Sequence, residues 1–218
     1  MQQQARSIST NQAGVHQNLH TVVTRQLASS SQKPLSIHTQ QAFQEANDWL
    51  GGWQGELILD SCCGVGESTV NIARAHPQAR IIGIDKSALR TDKHQAYASA
   101  LQNYIVLRAD LNDFLRLLVI HNKKLTRHYL LYPNPYPKSA HLQRRWYATS
   151  ALKDILKLGG RLEVRSNWQL YIQEFSAALA VANVDSQVTI FESDKAITPF
   201  ERKYWKSGQS SWQLIAHL

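Results

Sequence analysis

The segment between Tyr132 and Arg145 combines residue types that bind a nucleobase with residue types that bind phosphate. Three prolines within residues 133–137 each fix their own φ angle and favour an extended conformation in the residue before them. A loop stiffened in this way holds Asn134 and Tyr136 in place at low entropic cost. Because aromatic rings stack on bases and an Asn amide pairs with base edges, the loop predicts a nucleobase pocket.

Cationic side chains follow this loop directly and predict a phosphate clamp. They are Lys138, His141, Arg144 and Arg145. The same pattern is typical of a proline-stiffened turn after a strand, with its arginines in solvent. The segment alone leaves both interpretations open.

The overall charge favours a polyanionic partner. The chain has 218 residues, with 24 Lys and Arg against 16 Asp and Glu, which gives a net charge of +8 and an isoelectric point near 9.6. Such a field attracts nucleic acid or an acidic surface. The length fits one sizeable α/β domain with an N-terminal extension.

The two cysteines and the lengths of the apolar runs help to predict the cellular compartment of the protein. Cys62 and Cys63 are adjacent, so they cannot join distant segments, and they lack the paired spacing of a zinc site. We therefore expect no metal site and a reduced, cytoplasmic location. No apolar run approaches the ~18 residues of a membrane span, and the N-terminus has no hydrophobic signal core. No membrane partner is predicted.

Short apolar runs alternate with helix-compatible stretches along most of the chain. Strands are predicted near residues 57–60, 80–85, 104–107, 128–131 and 161–164, with a closing pair at about 187–191 and 212–217 joined by a long loop. Helices are predicted near residues 68–76, 88–101, 111–121, 141–157 and 168–182. This alternation predicts an α/β fold with a mostly parallel, seven-stranded sheet and helices on both faces.

The N-terminal part differs in composition from the rest. Residues 1–50 are predicted to form a polar extension, and residues 51–218 the main domain. Within the extension, residues 1–33 predict no packed core of their own and are expected to order on RNA. Residues 34–50 predict a helix that lies against the main domain and ends at Gly51.

Acidic residues follow three of the predicted strands, where an open α/β sheet binds its ligands. Asp60 precedes a tight turn containing Gly64 and Gly66, which lets the backbone approach a ligand. Asp85 ends the second strand, where a carboxylate accepts hydrogen bonds from both ribose hydroxyls, and Asp110 follows the third, where it accepts from an adenine amino group.

A second interpretation makes each aspartate a helix N-cap. Taken together, however, the three favour a nucleoside ligand. The turn lacks the full GxGxxG of a dinucleotide site, and acidic residues at successive strand ends suit a nucleoside without a pyrophosphate. The pattern predicts S-adenosylmethionine as the cofactor.

Four motifs resemble those of the bacterial tRNA guanine-N7 methyltransferases, across roughly residues 57–218. Residues 59–67, with sequence LDSCCGVGE, are similar to the family's L-E-I-G-x-G-x-G-E, and residues 83–85 to its G-I-E. Residues 133–145 are similar to P-D-P-W-x-K-x-R-H-x-K-R-R. Ser166-Asn167-Trp168 is similar to T-D-W, and residues 198–202, with Gly208 and Trp212, to T-x-F-E-x-R followed by G-x-x-x-W.

The resemblance implies a class I S-adenosylmethionine-dependent methyltransferase (Rossmann-like) fold and assigns roles by motif position. The implied cofactor-binding residues are Asp60, Cys62, Gly64, Gly66, Asp85, Lys86, Asp110, Leu111 and Asn134. The implied guanine-pocket and catalytic residues are Asn134, Asn167, Thr198 and Glu201. The implied tRNA phosphate contacts are Lys138, His141, Arg144 and Arg145, with Arg202 and Lys203 as a second cluster.

The chain departs from the family where the base is expected to bind. Asn134 and Asn167 stand where the family has Asp, and Gln169 stands where an acid is usual. Guanine presents N1–H and an N2 amino group, both donors, whereas an amide offers one acceptor oxygen and a competing donor. Methyl transfer to N7 uses a ring lone pair and removes no proton. The departures therefore threaten base identity and rate more than the chemistry, which depends on placement.

Three functions remain open at this point. The first is a tRNA methyltransferase acting on guanine N7 or a related base, with tRNA as the partner, as a monomer or homodimer. The second is a catalytically weakened or inactive RNA-binding paralogue, which the amides favour. The third is a small-molecule methyltransferase, which the basic rim disfavours.

Overall fold

A seven-stranded sheet forms the centre of the protein in a computed structural model that describes residues 5–29 and 31–218. Residues 1–4 of the predicted extension, and Ser30, lie outside the described residues. The strands are β1 (Leu57–Ser61), β2 (Arg80–Asp85), β3 (Tyr104–Arg108), β4 (Arg127–Leu131), β5 (Arg161–Ser166), β6 (Ser186–Phe191) and β7 (Ser211–His217).

The strand order is β3-β2-β1-β4-β5-β7-β6. Strands β1 to β5 pair in parallel, and β7 runs antiparallel to both β5 and β6. The predicted mostly parallel, seven-stranded sheet is confirmed. The chain order reverses between β1 and β4, which creates a crevice beyond the carboxyl ends of these strands.

Helices cover both faces of the sheet, as predicted. They are α1 (Leu19–Ala28), α2 (Ile37–Leu50), α3 (Glu67–Ala75), α4 (Ala88–Thr91), α5 (Leu111–Ile120), α6 (Ala151–Leu158), α7 (Gln169–Val181) and α8 (Pro199–Lys206). Helices α1, α2, α5, α6 and α7 contribute to the larger core, whereas α3 packs over the other face with a tyrosine of α8.

Successive side chains of β1 point to opposite faces of the sheet and pack in different cores. Leu57 and Leu59 belong to the larger core, and Ile58 packs under α3 beside Ile81 of β2. Because both faces are covered, the strand carries an uninterrupted apolar run, which is the usual pattern for a buried parallel strand. This run is why the strand positions were predictable to within one or two residues.

The N-terminal part contains a helix that the sequence analysis did not predict. On α1, the side chains of Leu19, Val22 and Val23 are buried in the larger core. Their spacing matches one face of a helix, which is a signal that the polar composition around them obscured. Helix α2 was predicted, and it ends at Gly51 in the left-handed conformation (φ 55°).

Three other predictions need correction. The helix expected at residues 88–101 is only α4 followed by a 3-10 turn at Asp92–Ala96. The helix expected at 141–157 is two 3-10 turns followed by α6, because Arg145 adopts an extended conformation that sends its side chain into the core. The long loop expected before β7 contains α8. Tertiary contacts override the local helical preference in the first two segments.

Among the described residues, none of the helices is long and apolar enough to cross a membrane.

Candidate active site

The predicted cofactor residues lie at the carboxyl ends of β1, β2 and β3, except Asn134, which follows β4. Asp60 is fully buried near the end of β1, and its Oδ2 accepts hydrogen bonds from the hydroxyls of Ser68 and Thr69, at 2.6 and 2.7 Å. Its Oδ1 is also buried, and no partner for it occurs in residues 5–29 or 31–218. Burial raises the pKa of Asp60 to about 6, although the two hydroxyls oppose this effect. An unpaired buried acceptor of this kind fits a cationic ligand group.

Asp85 is held in place by the backbone around it. Its Oδ2 accepts from the N–H of Gly64 at 3.0 Å, and its Oδ1 from the N–H of Ser87 at 2.8 Å. Arg90 approaches Oδ2 at 3.4 Å from a half-exposed position. The carboxylate therefore lies against the glycine turn, with its orientation fixed before any ligand binds.

Asp110 follows β3 and caps the helix that comes next. Its Oδ1 accepts from the N–H of Asn112 at 3.0 Å at the start of α5, so the alternative interpretation as an N-cap is correct for this residue. Capping uses one oxygen and leaves Oδ2 for another donor. Two further residues of the predicted cofactor site differ in exposure: Lys86 is exposed and Leu111 is buried.

Strained backbone is concentrated at the ends of β1 and β4. Cys62, Tyr132 and Tyr136 have φ angles of 61°, 52° and 45°. Residues other than glycine rarely adopt this left-handed region. Such strain clusters at ligand sites, where the surrounding structure enforces it. Burial raises the pKa of the Cys62 thiol to about 12, so it stays protonated at neutral pH and does not act as a nucleophile.

One cavity joins the glycine turn to the start of α8. Its walls include Cys62, Gly64 and Ser68 on one side and Thr198, Pro199 and Phe200 on the other. The sequence analysis missed Arg90 and Tyr97, which also line it. No local signal marked them, because this segment reads as an ordinary amphipathic helix.

Asn134 and Asn167 lie at the ends of neighbouring strands. Leu131 of β4 pairs with Arg165 of β5, and the N–H of Tyr132 donates to the carbonyl of Arg165 at 2.8 Å. Each asparagine comes two residues after this junction. The structure therefore brings the two predicted base-pocket amides to the same part of the sheet edge.

Thr198 and Glu201 are buried residues at the N-terminus of α8. The Thr198 hydroxyl accepts from the N–H of Glu201 at 2.9 Å and so caps the helix. The Glu201 carboxylate accepts from the N–H of Ile197 at 2.8 Å and from Arg165 at 2.7 Å. Thr198 borders the cavity, whereas Glu201 has no exposed surface and shapes the wall from behind. A direct contact of either residue with the base stays a prediction.

The predicted phosphate contacts divide into exposed and buried side chains. Lys138 and Arg144 are exposed, and the Arg144 guanidinium lies 5.9 Å from the ring centre of Tyr136. Arg145 is wholly buried, where it pairs with Glu174 of α7 and donates to the carbonyl of Tyr136 at 3.1 Å. We therefore remove Arg145 from the phosphate contacts, because its charge is neutralised inside the protein.

The remaining cations lie nearer the rim. His141 is partly buried, with its ring edge toward Tyr136, and Lys203 is exposed. Arg202 is 44% exposed, but its guanidinium contacts both carboxylate oxygens of Glu67 at 2.6 and 2.7 Å. It reaches phosphate only by giving up or sharing this pair.

Comparison with known proteins identifies the family of the chain. A family model described as "Putative methyltransferase" matches residues 54–214. The tRNA (guanine-N(7)-)-methyltransferase of Saccharophagus degradans is 28% identical over 177 residues, covering 76% of this chain and 77% of that protein. The enzyme of the same name from Shewanella frigidimarina is 26% identical over 175 residues, covering 75% of this chain and 73% of its own length.

Solved structures support the same fold. The 16S rRNA methyltransferase KamB has a TM-score of 0.61 at 16% identity, covering 85% of this chain and 95% of its own. A SAM-dependent methyltransferase from Archaeoglobus fulgidus has a TM-score of 0.51 at 12% identity, covering 83% and 94%. The predicted class I methyltransferase fold and its cofactor class agree with these matches. Since the family model covers well over half of the sequence, the chain belongs to this methyltransferase family.

Proposed function

We propose that the protein transfers a methyl group from S-adenosylmethionine to N7 of a guanine in tRNA. The observation that carries the proposal is the cavity between the glycine turn after β1 and the start of α8. The cavity supports the proposal because Cys62 and Gly64, two of the predicted cofactor residues, line it together with Thr198, one of the predicted acceptor-pocket residues. The curated relatives that share three quarters of the chain are named as tRNA (guanine-N(7)-)-methyltransferases, which supports the choice of substrate.

The hydrogen-bond acceptors on the cofactor side suit the donor groups of S-adenosylmethionine one by one. Asp60 Oδ1 is a buried acceptor without a partner in the described chain and suits the α-ammonium group. Asp85 is acceptor-only and suits the two ribose hydroxyls, and Asp110 retains one oxygen for the adenine amino group. When bound, the cofactor supplies an electrophilic methyl group on its sulfonium.

The reaction asks for little chemistry from the protein side chains. Guanine N7 would supply its ring lone pair to the methyl carbon while the methyl–sulfur bond breaks and its electron pair leaves with S-adenosylhomocysteine, so no proton has to leave the base. Holding donor and acceptor close and aligned therefore supplies most of the rate enhancement. The two asparagines would serve this requirement without acting as acids or bases, and Cys62, whose thiol pKa is raised by burial, would contribute to the cavity wall and not as a thiolate.

The exposed cations at the rim give the tRNA its phosphate contacts. Lys138 and Arg144 are exposed and follow the proline loop, and Lys203 is an exposed cation on α8. Phosphate contacts fix the position of an RNA without reading its sequence. The proposal includes tRNA as the partner and the cytoplasm as the compartment.

Tritiated methyl transfer to bulk tRNA, followed by identification of the labelled nucleoside, tests the proposal. We expect 7-methylguanosine as the labelled product. A protein that binds tRNA but transfers no label would favour the RNA-binding paralogue. A labelled nucleoside other than 7-methylguanosine would reject the substrate while keeping the enzyme class.

A further inference from the structure

We propose, building on the function above, that Asn134 and Asn167 are held in opposite orientations, so that the pocket offers one donor and one acceptor to the target base. An amide can present either its oxygen or its NH2 group, depending on which is already engaged. The contacts around the two asparagines engage different ends. The base edge that fits them must therefore carry an acceptor next to a donor.

Asn167 presents its oxygen. Its Nδ2 donates to Oε1 of Gln209 at 2.9 Å. Gln209 in turn donates through Nε2 to the carbonyl of Ala5 at 2.9 Å, and the N–H of Ala5 donates to the hydroxyl of Ser207 at 2.9 Å. Reversing Gln209 would break both of its hydrogen bonds, so the Asn167 oxygen is left facing away from Gln209.

Asn134 presents its NH2 group. Its Oδ1 accepts from the N–H of Tyr136 at 3.2 Å, which closes a short turn within the proline loop. Tyr136 has a φ of 45° within this turn. The Nδ2 group has no hydrogen-bond partner within the described part of the chain, and the residue is exposed.

Guanine has the matching edge. Its O6 is an acceptor that lies beside the N1–H donor, so Asn134 Nδ2 donates to O6 while N1–H donates to Asn167 Oδ1. The 2-amino group is not needed for this pairing. Adenine carries the two kinds of group in reverse order, so it would have to turn over, which would move its N7 away from the methyl donor.

Two carboxylates at the same positions would read a different edge. They would accept from N1–H and from the 2-amino group, and they would repel O6. Inosine separates the two arrangements, because it keeps O6 and N1–H but lacks the 2-amino group. The amide arrangement accepts inosine, whereas a carboxylate pair rejects it.

Gln209 acts as a positioning residue in this arrangement. In Gln209→Glu the side chain still accepts from Asn167 Nδ2, so the orientation of Asn167 is kept. In Gln209→Leu the acceptor is lost, and the Asn167 amide is free to turn its NH2 group toward the base. A purely structural role of Gln209 would make both variants equally poor, since both lose the hydrogen bond to Ala5.

The test uses tRNA transcripts with guanine or inosine at the methylated position. We expect the wild-type kcat/KM values for the two transcripts to agree within about three-fold, while Asn134→Asp with Asn167→Asp prefers guanine by about ten-fold or more, the usual value of a hydrogen bond to a charged group. We expect Gln209→Leu to lower kcat/KM for guanine by about ten-fold, and Gln209→Glu to keep most of it.

A wild-type preference for guanine over inosine of ten-fold or more would overturn the arrangement, as would equal activity of the two Gln209 variants. A wild-type protein that methylates neither transcript would overturn the proposed function instead. In that case the affinities for the two transcripts are measured with S-adenosylhomocysteine present. Affinities that agree within about three-fold support the arrangement of the two amides, and a preference for guanine of about ten-fold or more overturns it.

Discussion

The two sides of the sheet edge use charge in different ways. On the cofactor side, at the ends of β1, β2 and β3, Asp60 and Asp85 are anchored mainly through hydroxyl or backbone donors, and Arg90 approaches Asp85 at 3.4 Å from a half-exposed position. On the acceptor side, at the ends of β4 and β5, the proposed contacts to the base are the amides of Asn134 and Asn167. The carboxylates nearby, Glu174 and Glu201, are buried in ion pairs with arginines.

The role of a carboxylate in this protein depends on where it lies and on what it pairs with. A carboxylate with a free oxygen at the cavity attracts a ligand donor, whereas one buried against an arginine stabilises the shape of a wall. Glu174 and Glu201 belong to the second kind through their pairs with Arg145 and Arg165, and a direct contact of Glu201 with the base stays a prediction.

Arg145 and Arg144 are neighbours with opposite roles. Arg145→Ala leaves Glu174 as an uncompensated buried charge, so we expect the free energy of unfolding to fall by about 3–5 kcal/mol. Arg144→Ala changes an exposed side chain, and we expect a change of less than about 0.5 kcal/mol. Denaturant unfolding of both variants measures the contrast. Equal stabilities would mean that Arg145 is a surface residue after all.

Asp85 tests the cofactor side. We expect Asp85→Ala to weaken S-adenosylmethionine binding by about 10- to 100-fold, because a charged acceptor for the ribose hydroxyls is lost. Asp48→Ala, an exposed aspartate on α2, is the matched control and should leave the affinity unchanged. Calorimetry on both variants decides the matter, and an unaltered affinity in Asp85→Ala would remove the ribose contact.

Asp60 makes cofactor binding depend on pH. With its pKa raised to about 6, Asp60 is ionised only above that pH, so affinity for the cationic cofactor should increase as the pH rises through 6. The stability of the free protein depends on pH in the opposite direction. Protonated Asp60 stabilises the fold below its ordinary pKa of 3.8, and this contribution is lost as the pH rises through about 6.

Titration calorimetry between pH 5 and 8 compares the wild type with Asp60→Asn. The variant should bind more weakly and lose the step near pH 6. A step of unchanged size in Asp60→Asn would assign the titration to another group.

The rim cations have the smallest effects on affinity, but a characteristic salt dependence. Each of Lys138→Ala and Arg144→Ala should flatten the slope of log K against log salt by about one unit, since one phosphate contact is lost. Arg74→Ala, on the last turn of α3 at the opposite end of the sheet, should not change the slope. If Arg74→Ala flattens the slope as much as Arg144→Ala, tRNA does not bind at this rim.

Much of the fold was predictable because buried parallel strands have a simple sequence pattern. The apolar runs of β1 and β2 are bounded by the acidic and glycine residues that the crevice uses, so strand ends and cofactor residues appear together. Helix α8 had a usable signal that we did not use, since Thr198 and Glu201 form the start of a capping motif with Pro199 between them.

The buried ion pairs were not predictable, because they join residues far apart in the chain. Nothing near Arg145 distinguishes it from Arg144, and its partner Glu174 lies 29 residues further on. The orientation of Asn167 likewise depends on Gln209, which is 42 residues away, and on Ala5 at the other end of the chain. Such contacts are set by the packing of α7 and of the N-terminal segment, which local sequence does not encode.

The most direct test of the account replaces the attacking atom itself. A tRNA transcript made with 7-deazaguanosine keeps the O6 and N1–H edge of every guanine but has a carbon in place of N7. We expect the protein to bind this transcript with the affinity of the guanosine transcript and to transfer no methyl group to it. Methyl transfer to the 7-deazaguanosine transcript would contradict the proposed chemistry at guanine N7.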